Sequence, residues 1–129
     1  MEASALGKTY HDGEVILRQG EKSECMYVIQ SGQVEVIREN NGKNNKELRM
    51  TVLDEGRFFG VVPLFDRLDS ANTARLTVRA LGDVQVITVD NKTLLRRINE
   101  DPSLAYRILE TMSRRIIELE EMVTRQVIN

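Results

Sequence analysis

The amino-acid sequence predicts a mainly β fold with a C-terminal α part: a jelly-roll barrel followed by one long helix. Three observations predict it. Short apolar runs recur between Tyr10 and Val89, broken by turn signals at Asp12-Gly13, Gln19-Gly20, Ser31-Gly32, Asp54-Glu55-Gly56 and Gly82-Asp83. Beyond Asp90 the apolar period changes from 2 to 3.6. From Ser103 onward no glycine or proline interrupts the chain. Many short strands suit a closed or double-layered sheet, because closure protects strand edges from pairing with other chains.

In chain order, residues 1–9 read as an arm or a single turn. Val15-Ile16-Leu17 is a short strand. The runs Cys25–Ile29 and Val34–Ile37 flank Ser31-Gly32 and read as a hairpin whose glycine supplies the positive φ. Asn40–Asn45 is a polar tip, and Leu48–Leu53 alternates as the strand returning from it. Asp54-Glu55-Gly56 then turns the chain into Phe58-Phe59. Leu76–Leu81 and Val84–Val89 flank Gly82-Asp83 as a second hairpin. Asp90 is placed to cap a short helix through Ile98. Asp101-Pro102 opens the long helix, with Asp at the N-cap and Pro at the first helical position.

Along that helix Ala105, Leu109, Met112, Ile116, Leu119 and Val123 recur at spacings of 4, 3, 4, 3 and 4, the seam of a coiled coil. Glu110, Arg114, Glu118, Glu121 and Arg125 line other faces, where pairs four apart contribute only ~0.2–0.5 kcal/mol each. Two readings stay open. The helix packs on its own barrel, which Leu104, Ile108 and Ile117 off the seam would suit, or it forms a homodimer. The stripe continues to Val123, farther than a barrel touching the start of the helix needs, and this favours the homodimer.

Composition bounds the function. At 129 residues the chain is one domain, and 41% hydrophobic with 29% charged residues is globular. A net charge of −2 exerts no long-range pull on nucleic acid or anionic lipid. No apolar run approaches the ~18 residues of a membrane span, and Met1–Leu6 carries no signal-peptide core, so the reading is cytoplasmic and free of the membrane. The lone Cys25 excludes an internal disulfide; with the single His11 it cannot build a zinc or iron–sulfur site, and haem would lack a second ligand. His11-Asp12 reads as an exposed turn rather than a catalytic pair, and Cys25 as a small buried hydrophobe. No nucleophile motif is present, so no enzyme is expected.

Ordered blocks carry a resemblance. Gly13-Glu14-Val15-Ile16, Arg18-Gln19-Gly20-Glu21, Met26–Ile29, Ser31-Gly32, Val34-Glu35-Val36, Phe58-Phe59-Gly60 and Thr77-Val78-Arg79-Ala80 together resemble the cyclic nucleotide-binding domain family, from Lys8 to about Val123. Leu94–Ile98 and Ser113–Ile116 are similar to bacterial sensor domains of the cAMP receptor protein type. The resemblance implies a double-stranded β-helix over 10–90 with a phosphate-binding cassette at 58–77, then helices over 91–129, the last a dimerisation helix. It implies a non-enzymatic regulatory module whose ligand is cAMP, cGMP or another cyclic nucleotide. Those regulators usually continue into a helix-turn-helix. The chain stops at Asn129, so no direct DNA binding is expected of it.

The family's cassette reads Phe-Gly-Glu, a short helix, then Arg followed by small residues. Backbone N–H groups at the helix start and the Arg hold the phosphate, and the Glu accepts the ribose hydroxyl. Here Val61 stands where the Glu belongs. Counted back from Thr77–Ala80, the Arg position falls on Ala74, the next residue is Arg75, and the span from Gly60 is a few residues longer than usual. On the long helix, Leu119 and Glu120 match the positions that meet the base. The candidate nucleotide-binding residues implied are Gly60, Val61, Val62, Arg75, Leu76 and Thr77. A bulge could turn Arg75 inward, whereas strand alternation puts it outside. A buried phosphate without its cation loses on the order of 3–5 kcal/mol, or roughly 10²–10³-fold in affinity. Altered or lost ligand specificity is therefore the expectation, with true cAMP or cGMP binding by a regulator as the alternative.

Overall fold

The structure is a computed structural model that describes residues 5–40, 46–60 and 73–128. It comprises two compact units, residues 1–91 and 92–129.

The strands of the first unit are β1 (Ala5–Tyr10), β2 (Val15–Leu17), β3 (Cys25–Glu39), β4 (Glu47–Leu53), β5 (Phe58–Phe59) and β6 (Thr77–Asp90). All pair antiparallel in the order β1-β6-β3-β4, with β2 also on β6 and β5 also on β3. The β3–β6 ladder is the spine, running from Cys25↔Asp90 to Ile37↔Thr77. Val34, Val36, Val78, Ala80, Val84 and Val86 from these two strands are buried in one apolar cluster with Ile29, Leu53 and Phe59. Each large side chain so removed from water contributes ~1.5–3 kcal/mol.

Two expected hairpins are instead bends in continuous strands. Gly32 and Gly82 do take positive φ, 89° and 70°. The chain does not reverse at either. The ladder steps from Ser31↔Gln85 to Gln33↔Leu81, so β3 and β6 kink together where the two glycines lie. A glycine between two apolar runs is the same local signal for a hairpin and for a bulged bend. Which one forms depends on where the flanking N–H groups find acceptors, here some fifty residues away.

Residues 5–10 correct the expectation of an unstructured arm. They form β1, paired from Ala5↔Val89 to Tyr10↔Val84. Ala-Leu-Gly-Lys-Thr-Tyr has little strand propensity of its own; the edge of β6 opposite β3 supplies the partner. The β3–β4 hairpin matches its expectation, pairing Val34↔Leu53 through Glu39↔Glu47 and closed by a 2.9 Å bond from Asn40 N to Lys46 O. Its tip at 41–45 lies outside the described residues, as does the short helix expected within the cassette.

In the second unit, α1 (Asn91–Glu100) follows Asp90 directly, and α2 (Ser103–Ile128) is the long helix. Asp101 caps it: Ser103 N donates to Asp101 Oδ1 at 3.1 Å, and the Ser103 hydroxyl donates to the same oxygen. Those bonds, the hydroxyl's first, hold the Asp101 carboxyl below the usual carboxylate range. Among the described residues no helix is long and apolar enough to cross a membrane.

Candidate functional site

The site is framed by the end of β5 and by the segment 73–76 that enters β6. Phe59 stacks on Tyr27 with ring centroids 4.8 Å apart and nearly parallel planes. Gly60 follows with φ 84°, where an added Cβ would lie 3.0 Å from Cys25 O and 3.1 Å from Tyr27 Cδ1. Glycine thus lets the chain leave β3 while still touching it. Burial, first of all, and a hydrogen bond with Cys25 raise the Tyr27 phenol above its ordinary value. Val61 and Val62 lie outside the described residues.

Within the cassette the described residues resume at Thr73, bridged to Lys22. Ala74 is 4% exposed and belongs to the apolar cluster; Leu76 packs against the same cluster. Arg75, between them, is exposed. Ala74 is held by its backbone on both sides: its N–H donates to Glu21 O at 2.7 Å, and its O accepts from Gly20 N at 2.8 Å. Thr77 is fully buried. Its hydroxyl oxygen accepts from Gln19 N at 2.9 Å, and the hydroxyl donates to the Glu39 carboxylate. The Gln19 side-chain amide then pairs with Glu39 in both directions, Nε2 donating to Glu39 O at 2.9 Å and Oε1 accepting from Glu39 N at 2.7 Å. Arg18 lies 3.6 Å from the same carboxylate.

Of the residues implied by resemblance, Gly60, Arg75, Leu76 and Thr77 are among the described residues. The Thr77 hydroxyl is committed to Gln19 and Glu39. Gln19 and Glu39 were not found from sequence, since their contacts span 20, 38 and 58 residues and no local pattern announces them.

A charge cluster lies beside this network. Glu35 Oε2 accepts from Arg79 Nε at 2.8 Å and Oε1 from Arg49 at 3.0 Å, while Arg79 also reaches Glu47 at 3.2 Å. Burial alone would push the Glu35 carboxyl up, yet the bonds from Arg79 and Arg49 outweigh it and hold the carboxyl below its ordinary value. His11 is exposed in its turn, with Nδ1 3.1 Å from Asp83 Oδ1. It does not pair with Asp12, which accepts instead from Gly82 N. Cys25 is half-buried rather than fully buried as expected, and its thiol is free of any disulfide. Among the described residues no three His, Cys, Asp or Glu could hold a metal ion.

On α2 the predicted seam divides. Ala105, Met112 and Leu119 are half-buried. Leu109, Ile116 and Val123, one heptad apart, are 65%, 57% and 61% exposed.

The β-roll topology and the glycine that ends β5 define the fold class, and comparison with known proteins says which family it belongs to. Residues 7–101 match the family model of the cyclic nucleotide-binding domain. The chain belongs to the cyclic nucleotide-binding domain family. It is similar to the cGMP-dependent protein kinase egl-4 of Caenorhabditis briggsae, 38% identical over 76% of this chain and 13% of the kinase. It is also similar to the cAMP-activated global transcriptional regulator CRP of Salmonella typhimurium, 28% identical over 88% of this chain and 52% of the regulator. Among solved structures, the c-di-GMP responsive global regulator CLP of Xanthomonas campestris superposes with a TM-score of 0.83 at 21% identity, covering 95% of this chain and 59% of that one. The chain thus spans about half, or much less, of the length of these curated relatives.

Proposed function

We propose that this chain is a non-enzymatic regulatory module whose cassette has lost the ordinary affinity of its family for cAMP and cGMP. The observation that carries this reading is Ala74. It occupies the arginine position of the cassette, buried in the apolar cluster, and its backbone is held on both sides by Gly20 and Glu21. Ala74 and Leu76 both belong to or pack on the cluster, and Arg75 between them is exposed. A phosphate bound without its cation forfeits on the order of 3–5 kcal/mol.

A second reading has its own support. The curated relatives are by name a cGMP-dependent kinase and a cAMP-activated regulator, and a protein of the same fold is by its title responsive to c-di-GMP. Titration calorimetry with cAMP, cGMP and c-di-GMP at millimolar concentration decides between them. We expect no heat from cAMP or cGMP, and no change on Arg75→Ala. Binding of cAMP by the wild type that Arg75→Ala removes would overturn the first reading.

The module acts as a parallel homodimer through α2. Leu109, Ile116 and Val123 leave an exposed apolar stripe at heptad spacing, which a second copy in register would cover. At ~1.5–3 kcal/mol per side chain transferred from water, several per chain hold a dimer at micromolar concentration. Ile116→Asp with Leu119→Asp is expected to give a monomer in sedimentation. An unchanged mass would show that this stripe is not an interface between copies. With a net charge of −2, no direct contact of this chain with DNA is proposed.

A further inference from the structure

We propose that His11 and Asp83 form a pH-sensitive clasp, in which protonation of His11 fastens the turn that follows β1 onto the bend in β6. Two backbone bonds already lay this turn along β6, from Gly13 N to Ala80 O at 2.9 Å and from Ala80 N to Glu14 O at 2.9 Å. Side chains carry the contact on to the bend itself. Asp12 Oδ1 accepts from Gly82 N at 2.7 Å, and His11 Nδ1 lies 3.1 Å from Asp83 Oδ1. Within the turn, the Glu14 carboxylate accepts from His11 N at 2.6 Å, and Glu14 N donates to His11 O at 3.0 Å.

Asp83 is where the turn meets the spine of the sheet. Its backbone oxygen presses on Gly32 at the paired bend of β3, so that a Cβ there would stand 2.3 Å away. Its carboxylate meets the turn. His11 is the single histidine of the chain, and histidine is the side chain whose ordinary pKa places its change of charge between pH 5 and 8. The charged groups that act on it are Asp83 from β6 and Glu14 from its own turn. Both are acidic; the bond to Asp83, then the two charges, raise the His11 pKa above its ordinary value. The neutral ring keeps the Asp83 bond only in the tautomer that carries its proton on Nδ1. The imidazolium always donates from Nδ1 and adds the attraction of opposite charges. With its folded-state pKa raised, His11 strengthens the clasp fully below about pH 6.5 and ceases to do so as pH rises through the raised value. The pair is exposed, so the effect is small and local.

The experiment follows the full chain by NMR from about pH 5.5 to about pH 8, the range in which histidine titrates, beside His11→Gln and Asp83→Asn. Both side chains are exposed, so neither substitution disturbs the core. The wild-type His11 ring should titrate above its ordinary value, and in Asp83→Asn closer to it. Amide exchange at Gly13 and Ala80, corrected for the intrinsic rate at each pH, should be about two- to fivefold slower at the acidic end, the range an exposed ion pair supplies. The Ile29 amide, which donates to Arg57 O, should show no such difference. In both variants the difference at Gly13 and Ala80 should vanish. A wild-type His11 that titrates at or below its ordinary value overturns the proposal. So does a difference that survives His11→Gln, or one that Ile29 shares, since its source would then lie outside the clasp. Equal protection at both ends of the range overturns it as well, because the pair would form without fastening the turn.

Discussion

Ala74→Arg is expected to destabilise the domain by about 3–5 kcal/mol, the cost of an unpaired charge in an apolar interior. At 4% exposure among Ile16, Leu17, Ile29 and Val78, the guanidinium would have no water and no anion. For a unit of this size such a loss lowers the melting temperature by roughly 15 °C or more. Ala74→Met separates size from charge, since overpacking alone costs ~1–3 kcal/mol. Combined with Val61→Glu, Ala74→Arg restores the family's two charged contacts, and millimolar cAMP should then raise the melting temperature of the double variant and leave the wild type unmoved. An Ala74→Arg protein as stable as the wild type would mean that the position is open to solvent, and the argument for a lost anion site would fall with it.

Gly32→Ala is expected to cost ~3 kcal/mol or more, from a left-handed backbone unsuited to a side chain and from displaced neighbours. The new Cβ would stand 2.3 Å from Asp83 O and 3.0 Å from Val84 Cα, both backbone atoms that cannot rotate aside. The strand–strand bend would have to open. Gly82→Ala is the control: its φ is 70°, but no atom lies within 4 Å of the added Cβ, so only the conformational cost of ~1–2 kcal/mol applies. Chemical denaturation of the two variants measures the difference. Equal losses at both positions would show that β3 and β6 do not press together at this bend.

The contrast between Gly32 and Gly82 also marks how far the sequence could be read. Both glycines announce a break between apolar runs, and both take positive φ. One of them is hemmed in by a partner strand and the other faces open space, and nothing within ten residues of either distinguishes the two. The same holds at the site. Gly60 and the Thr77–Ala80 strand were legible because the family's order of residues is local. The hydrogen bonds of Gln19 were not, because its partners Glu39 and Thr77 lie 20 and 58 residues away.

Elements whose causes lie within a few residues follow from the sequence by itself. The Asp101-Pro102 start of α2 is set by a cap and a missing N–H; the β3–β4 hairpin is set by two alternating runs about a polar tip; the uninterrupted helix beyond Ser103 is set by what it lacks. The departures at Val61, Ala74 and Arg75 are also plain from residue order. Only the tertiary structure decided that two apparent hairpins are bends in β3 and β6, that residues 5–10 complete the sheet, and that Ala74 is buried with its backbone held on both sides while Arg75 is exposed. The physical reason is common to all three. A backbone N–H or C=O in a sheet is satisfied by whichever strand reaches it, and that choice belongs to the whole chain's packing rather than to its neighbours in sequence.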